Sequence, residues 1–114
     1  MKKSVIKKRK EIRFHGVKIY NKKGIKINIS HPAYIFLQKD NLLIYVSITH
    51  SNHVEDYFVV QLTKNPNPFD DQDSFWVADV RQDTKENFGK LKNDWEIDKA
   101  DDEAIRNFYD KQTK

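Results

Sequence analysis

Apolar residues along this chain recur mostly at every second position, and only near the C-terminus at every third and fourth. Ile12 and Phe14, then Val17 and Ile19, alternate with polar neighbours on either side of a turn expected at His15 and Gly16. Asn21, Lys22, Lys23 and Gly24 signal a second turn, after which Ile25, Ile27 and Ile29 alternate with Lys26 and Asn28 as a half-buried strand. Two richer stretches follow, residues 30–37 and 42–49, separated by Gln38, Lys39, Asp40 and Asn41. That spacing suits a hairpin, and the second arm is so continuously apolar that it reads as a central strand. Tyr57 to Leu62 predicts a fourth clear strand and Ser74 to Val80 a fifth, while Pro66 and Pro68 mark the intervening segment as a loop. A helix is predicted over 99–112: Asp98 can cap it, Asp101, Asp102 and Glu103 fill its first turn, and Ala104, Ile105, Phe108 and Tyr109 form one apolar face. A short helix or turn is weakly signalled around Thr84 to Phe88. The fold class expected is mainly β with a C-terminal α-helix, a small and strongly bent antiparallel sheet or barrel with the helix packed on it.

Composition sharpens this picture. The 114 residues suit one domain with a real core, and 12% aromatics argue against wholesale disorder despite 33% charged residues. No apolar run approaches the ~20 residues that cross a bilayer, so no membrane partner is expected. The absence of cysteine excludes disulfides and thiolate metal sites and suits a reducing cytoplasm. Charge is unevenly spread beneath the net +4: residues 1–26 hold eleven of the 21 Lys and Arg with one acid, Glu11, and the remaining ten bases face sixteen acids. Residues 1–10 read as a basic, loosely attached arm on a single domain of residues 11–114, with Lys7, Lys8, Arg9 and Lys10 its densest run. Such an arm is either a solvated tail or a contact for nucleic acid.

Chemistry concentrates at one predicted edge. If the hairpin forms, His31 before its first arm and Thr49, His50, Ser51 and His53 after its second fall at the same end. Two imidazoles flanking a phosphodiester can cleave RNA without metal, one taking the 2′-OH proton and the other protonating the leaving 5′-oxygen. The plainer reading is that His-Pro begins a strand and Thr-His-Ser ends one. His50 and His53 with Glu55 or Asp56 offer a weak metal-site pattern, and Ser51 a nucleophile without an elbow around it. Arg81 can reach a phosphate with Asp79 or Asp83 holding it, or be an ordinary surface ion pair; Lys85 in the same segment is a further RNA contact. Tyr34, Tyr45, Phe58, Phe75 and Trp76 can stack on bases or fill the core, and most read as core. Tyr34 and Tyr45 are the two expected to keep a polar tip at the surface, and Tyr34 is counted among the RNA contacts. Trp95, Phe108 and Tyr109 read as helix-to-sheet packing. No cofactor is expected.

The order of these signals resembles the PemK/MazF type of bacterial toxin. His31-Pro32-Ala33-Tyr34-Ile35-Phe36 is similar to that family's Arg-Pro and apolar strand, Tyr45 to Ser51 to its apolar strand ending in a Thr-Ser-like turn, and Asp73 to Asp83 to its Asp-Ser, apolar strand and Arg-Thr continuation. Gly89-Lys90-Leu91 and the closing helix fall where the family has a short link and helix. The resemblance implies an SH3-like barrel, a homodimer paired with an antitoxin protein, and a toxin-like endoribonuclease cutting single-stranded RNA without metal, in the cytoplasm. It implies an active-site role for Thr49 and an RNA-proximal one for Arg81. His31 stands where the family has arginine, trading a permanent phosphate clamp for a group that shuttles protons. The alternative reading is a nucleic-acid-binding module that does not cut.

Overall fold

The computed structural model describes residues 14–20 and 26–112. Seven strands and one long helix follow one another: β1 (Phe14–Tyr20), β2 (Lys26–Lys39), β3 (Leu42–Thr49), β4 (Val59–Gln61), β5 (Phe75–Val77), β6 (Arg81–Thr84), a 3₁₀ turn (Lys85–Asn87), β7 (Phe88–Lys92) and α1 (Lys99–Gln112). All pairings are antiparallel, in the order β4-β5-β3-β2-β1-β7, with β6 also on β3. The protein is therefore mainly antiparallel β with one C-terminal helix. Among the described residues no ladder joins β4 to β7, so the sheet is bent but not closed.

The hairpin of β2 and β3 is the centre of the sheet. Lys39 pairs with Leu42, leaving Asp40 and Asn41 as a two-residue turn, and Asp40 takes the positive φ of 56° that such turns require. Both faces of this ribbon are covered, which is why its apolar runs are nearly continuous. On one face Tyr34, Phe36, Ile44, Val46 and Ile48 join Phe14, Leu62, Trp76 and Ile105 in the main core. On the other, Ala33, Ile35, Leu43 and Tyr45 form a second cluster closed by Phe88.

The helix spans the expected residues. Asp98 Oδ1 accepts the Ala100 N–H at 2.9 Å, satisfying one of the free amides of the first turn. Ile105 is fully buried, Phe108 meets Trp76 edge-on at 5.4 Å, and Tyr109 meets Phe36 at 5.4 Å. Two first-turn acids are buried as well. Asp101 accepts the Thr63 N–H with both oxygens, at 2.9 and 3.0 Å, and Asp102 accepts the Tyr34 O–H at 2.7 Å and the Arg106 Nε–H at 3.0 Å.

Several expectations are corrected. No turn breaks the chain at His15 and Gly16; β1 runs through them, and the irregularity is a bulge in which Gly89 and Lys90 of β7 face Gly16 alone. Of the strand expected at Ile25 to Ile29, residues 26–29 belong to β2, whose 14 residues carry His31 inside the strand rather than before it, and Ile25 lies outside the described residues. Ser74 to Val80 yields only the three-residue β5, because Asp79 N–H turns back to the Val77 carbonyl. Tyr34 and Tyr45 are buried rather than surface-tipped, Phe58 is 85% exposed rather than core, and Ala104 lies on the exposed side of α1. Lys7, Lys8, Arg9 and Lys10 lie outside the described residues. Among the described residues no helix is long and apolar enough to cross a membrane.

Candidate active site

The site grows out of one end of the β2–β3 ribbon. The last ladder pair there is Ala33 with Ser47, and the same register carried two residues on sets His31 opposite Thr49. On its other edge β3 pairs with β5, Ile48 to Trp76 and Thr49 to Phe75. Thr49 therefore stands between the strand of His31 and the start of β5. A cavity of about 210 Å³ opens at this corner, lined by His31, Thr49, His50 and Ser51 from the two strand ends. Pro32, Ile48 and Trp95 give it an apolar wall, and Asn65 and Ser74 close it from the loop between β4 and β5.

That loop is built by side chains capping their own backbone. Asn65 Oδ1 accepts the Asn67 N–H, Asn67 Oδ1 the Phe69 N–H, and Asp70 Oδ1 the Gln72 N–H, each at 3.0 Å. Pro66 is buried, and its carbonyl accepts the Glu96 N–H at 3.1 Å, tying the loop to the segment before α1. The loop so shaped carries Asp70 back to the strand ends, where its Oδ2 lies 2.6 Å from His50 Nε2. The Gln72 amide first, and His50 second, hold the Asp70 carboxyl below the usual carboxylate range, so it is an anionic acceptor at neutral pH. An imidazole held by a carboxylate through one nitrogen keeps a fixed ring orientation and leaves Nδ1 for proton exchange.

The hydroxyls differ. Ser51 Oγ donates to the His53 carbonyl at 2.5 Å and accepts the His53 N–H at 3.1 Å, so it is committed to its own turn. Thr49 Oγ1 accepts the Ser51 N–H at 3.0 Å and keeps its own proton to donate. His31 is exposed at the mouth of the cavity.

Other residues picked from the sequence lie elsewhere. His53 is exposed and does not line the cavity, and among the described residues no group of three or more His, Asp or Glu is placed to hold a metal ion. Tyr34 cannot stack on RNA: it is 2% exposed, and burial followed by its bond to Asp102 raises its hydroxyl well above the usual tyrosine range. Lys85 is exposed on the 3₁₀ turn. Arg81 pairs across the ladder with Tyr45, four residues back from Thr49 along β3, which is roughly 13 Å at ~3.3 Å per residue. It thus shares a sheet face with Thr49 without lining the cavity. Its Nε donates to Asp79 Oδ2 at 2.8 Å, and that bond raises its pKa. The fourth histidine, His15, donates its Nδ1–H to the Gly89 carbonyl at 3.2 Å and meets Phe88 edge-on at 5.9 Å.

The sequence gives no site role to the lining residues Asn65, Ser74 and Trp95 or to the supporting Asp70. Only the Asn-x-Asn-x-x-Asp spacing of the loop hinted at its capped turns. No family model, no curated protein and no solved structure matches the chain.

Proposed function

We propose that the protein is a metal-independent endoribonuclease acting on single-stranded RNA, of the kind the PemK/MazF resemblance implies. The observation that carries this reading is the lining of one small cavity by His31 and by His50, with Asp70 on His50 and a Thr49 proton free to donate. In the reaction one imidazole takes the proton of the ribose 2′-OH, whose oxygen attacks the neighbouring phosphorus. The other gives a proton to the departing 5′-oxygen, leaving a 2′,3′-cyclic phosphate and a 5′-hydroxyl. Thr49 hydrogen-bonds a non-bridging oxygen as charge gathers on it. Arg81, on the same face, holds a neighbouring phosphate rather than the scissile one, and the N-terminal lysines draw the polyanion in. A homodimer, an antitoxin partner and a cytoplasmic setting belong to the same proposal; the closed SH3-like barrel that the resemblance implies does not, because the sheet is open.

Incubation of the folded protein with an unstructured RNA in EDTA tests it. Cleavage with cyclic phosphate ends, a bell-shaped pH–rate profile, and losses of about 10²–10⁴-fold in His31→Ala and His50→Ala are expected. Intact RNA, or equal cleavage by His31→Ala and Thr49→Ala, overturns the reading in favour of a module that only binds.

A further inference from the structure

The two ends of the sheet are finished differently. β7, at one end of the strand order, carries Gly89, Lys90 and Lys92, residues that keep a free edge from pairing. β4, at the other end, lies in Tyr57-Phe58-Val59-Val60-Gln61-Leu62, a run with no charge, glycine or proline. It is bonded to β5 from the Ala78 N–H to the Phe58 carbonyl and from the Leu62 N–H to the Ser74 carbonyl, both at 2.8 Å. Backbone groups alternate in direction along a strand, so Phe58, Val60 and Leu62 turn theirs to β5, while Val59 and Gln61 turn theirs to the open edge. No described residue pairs with that edge. The flanking amides are already used, the Tyr57 N–H by the Val54 carbonyl and the Thr63 N–H by Asp101. The side chains are uncovered too. Val60 stands opposite Trp76 and on the face of Leu62, so Phe58 and Val60 lie on the core side of the sheet. Yet Phe58 is 85% exposed and Val60 39%, with Tyr57 beside them at 43%.

We propose that a second copy of this chain covers this edge, β4 pairing antiparallel with β4 about a two-fold axis at Val60. Val59 then lies opposite Gln61 of the second copy, and the free N–H and C=O groups of both residues are all bonded. On the core face Val60 meets its counterpart, and Phe58 lies opposite Leu62 of the second copy. The same register sets Asp56 opposite Lys64 at each end; both are exposed, and neither has an ion pair among the described residues. Sliding by two residues puts Asp56 opposite Leu62 or Pro66 instead, so charge selects one register. Tyr57, Phe58 and Val60 hide roughly 300 Å² of side chain per copy. With the paired backbone the whole contact is on the order of 1,000 Å², the lower limit of a specific interface, so the dimer dissociates in the micromolar range. This pairing gives a surface to the homodimer of the proposed reading and rests on that reading for nothing else.

Sedimentation equilibrium of the full chain, from low micromolar to near-millimolar concentration, should show monomer passing into dimer. Amide exchange of Val59 and Gln61 should slow as the dimer fills, while Val60, bonded to β5, is protected throughout. Val59→Pro removes only an outward donor, so its melting curve should stay that of the monomer while the dissociation constant rises at least tenfold. Asp56→Lys and Lys64→Asp should each weaken self-pairing about fivefold. An equimolar mixture of those two variants should pair as tightly as the wild type, because in the mixed dimer every lysine again faces an aspartate. A chain that stays monomeric at near-millimolar concentration, a dimer that Val59→Pro leaves intact, or a mixture no tighter than its components overturns the pairing. Monomeric protein that cuts RNA removes this pairing alone, and a β4 dimer that leaves RNA intact keeps it and removes the cleavage.

Discussion

Asp70 decides how His50 behaves, and its influence has a defined pH window. Its carboxyl titrates below the ordinary ~3.9 because the Gln72 amide and His50 favour the anion. The contact is therefore fully present above that ordinary value and is lost only as pH falls through the depressed one. Asp70→Asn should lower RNA cleavage about tenfold at pH 7 by loosening the ring, with the difference from wild type vanishing in strong acid; an equal rate at pH 7 shows that Asp70 orients nothing. Tyr34 makes the opposite case. Removing its hydroxyl in Tyr34→Phe deprives buried Asp102 of one donor and should cost about 1–3 kcal/mol in urea unfolding, while leaving the proposed RNA cleavage by the folded protein unchanged. A specific loss of cleavage in that variant returns Tyr34 to the RNA surface. Sequence alone could not separate these two residues. Tyr34 alternates with Ala33 and Ile35 in a run whose faces are both buried, so alternation does not say which way is out. Asp70 meets His50 across twenty residues through a loop held by side-chain caps, and no local pattern encodes that distance.

At the scale of elements, α1 is where local rules sufficed and also where they stopped. Asp98 as cap, acids in the first turn and Lys111 in the last agree with the helix dipole, so the boundaries 99–112 follow from neighbours along the chain. The burial of Asp101 and Asp102 does not. Each is an acid that the dipole alone would leave in water, and each instead answers a distant donor, the Thr63 amide just past β4 and the Tyr34 hydroxyl of β2. The helix is docked by these bonds as well as by Ile105. Asp98→Ala should cost about 1 kcal/mol, the ordinary loss of a cap. Asp101→Ala should cost more, about 2–3 kcal/mol, because it leaves the Thr63 amide without its acceptor. Chemical denaturation of both variants checks the order; equal losses make Asp101 a helix-dipole residue only. The same divide explains β6 and β7. Their residues include Arg81, Asp83, Gly89 and Lys90, which no β propensity favours, and they are strands because β3 and β1 offer them an edge.

For the whole molecule the proposed reading raises the question of how a body with more acids than bases would attract RNA. From Ile27 onward the chain carries a net −6, and Asp70 sits on His50 beside the cavity, so the body itself would not draw in a polyanion. The cationic residues of the first ten positions, Lys2, Lys3, Lys7, Lys8, Arg9 and Lys10, are then the main source of attraction, and they should act without regard to sequence. Binding of a single strand weakens with salt in proportion to the phosphates neutralised, with a slope of about −0.7 per phosphate. Deleting residues 1–10 should therefore flatten the plot of log affinity against log salt by up to about 4 when all six cations engage, measured with an uncleavable 2′-O-methyl oligonucleotide. The proposed cleavage at saturating RNA should survive the deletion, because His31, Thr49 and His50 are untouched. An unchanged salt slope assigns the attraction instead to Arg81 and Lys85 on the body, and Arg81→Ala would then carry the loss.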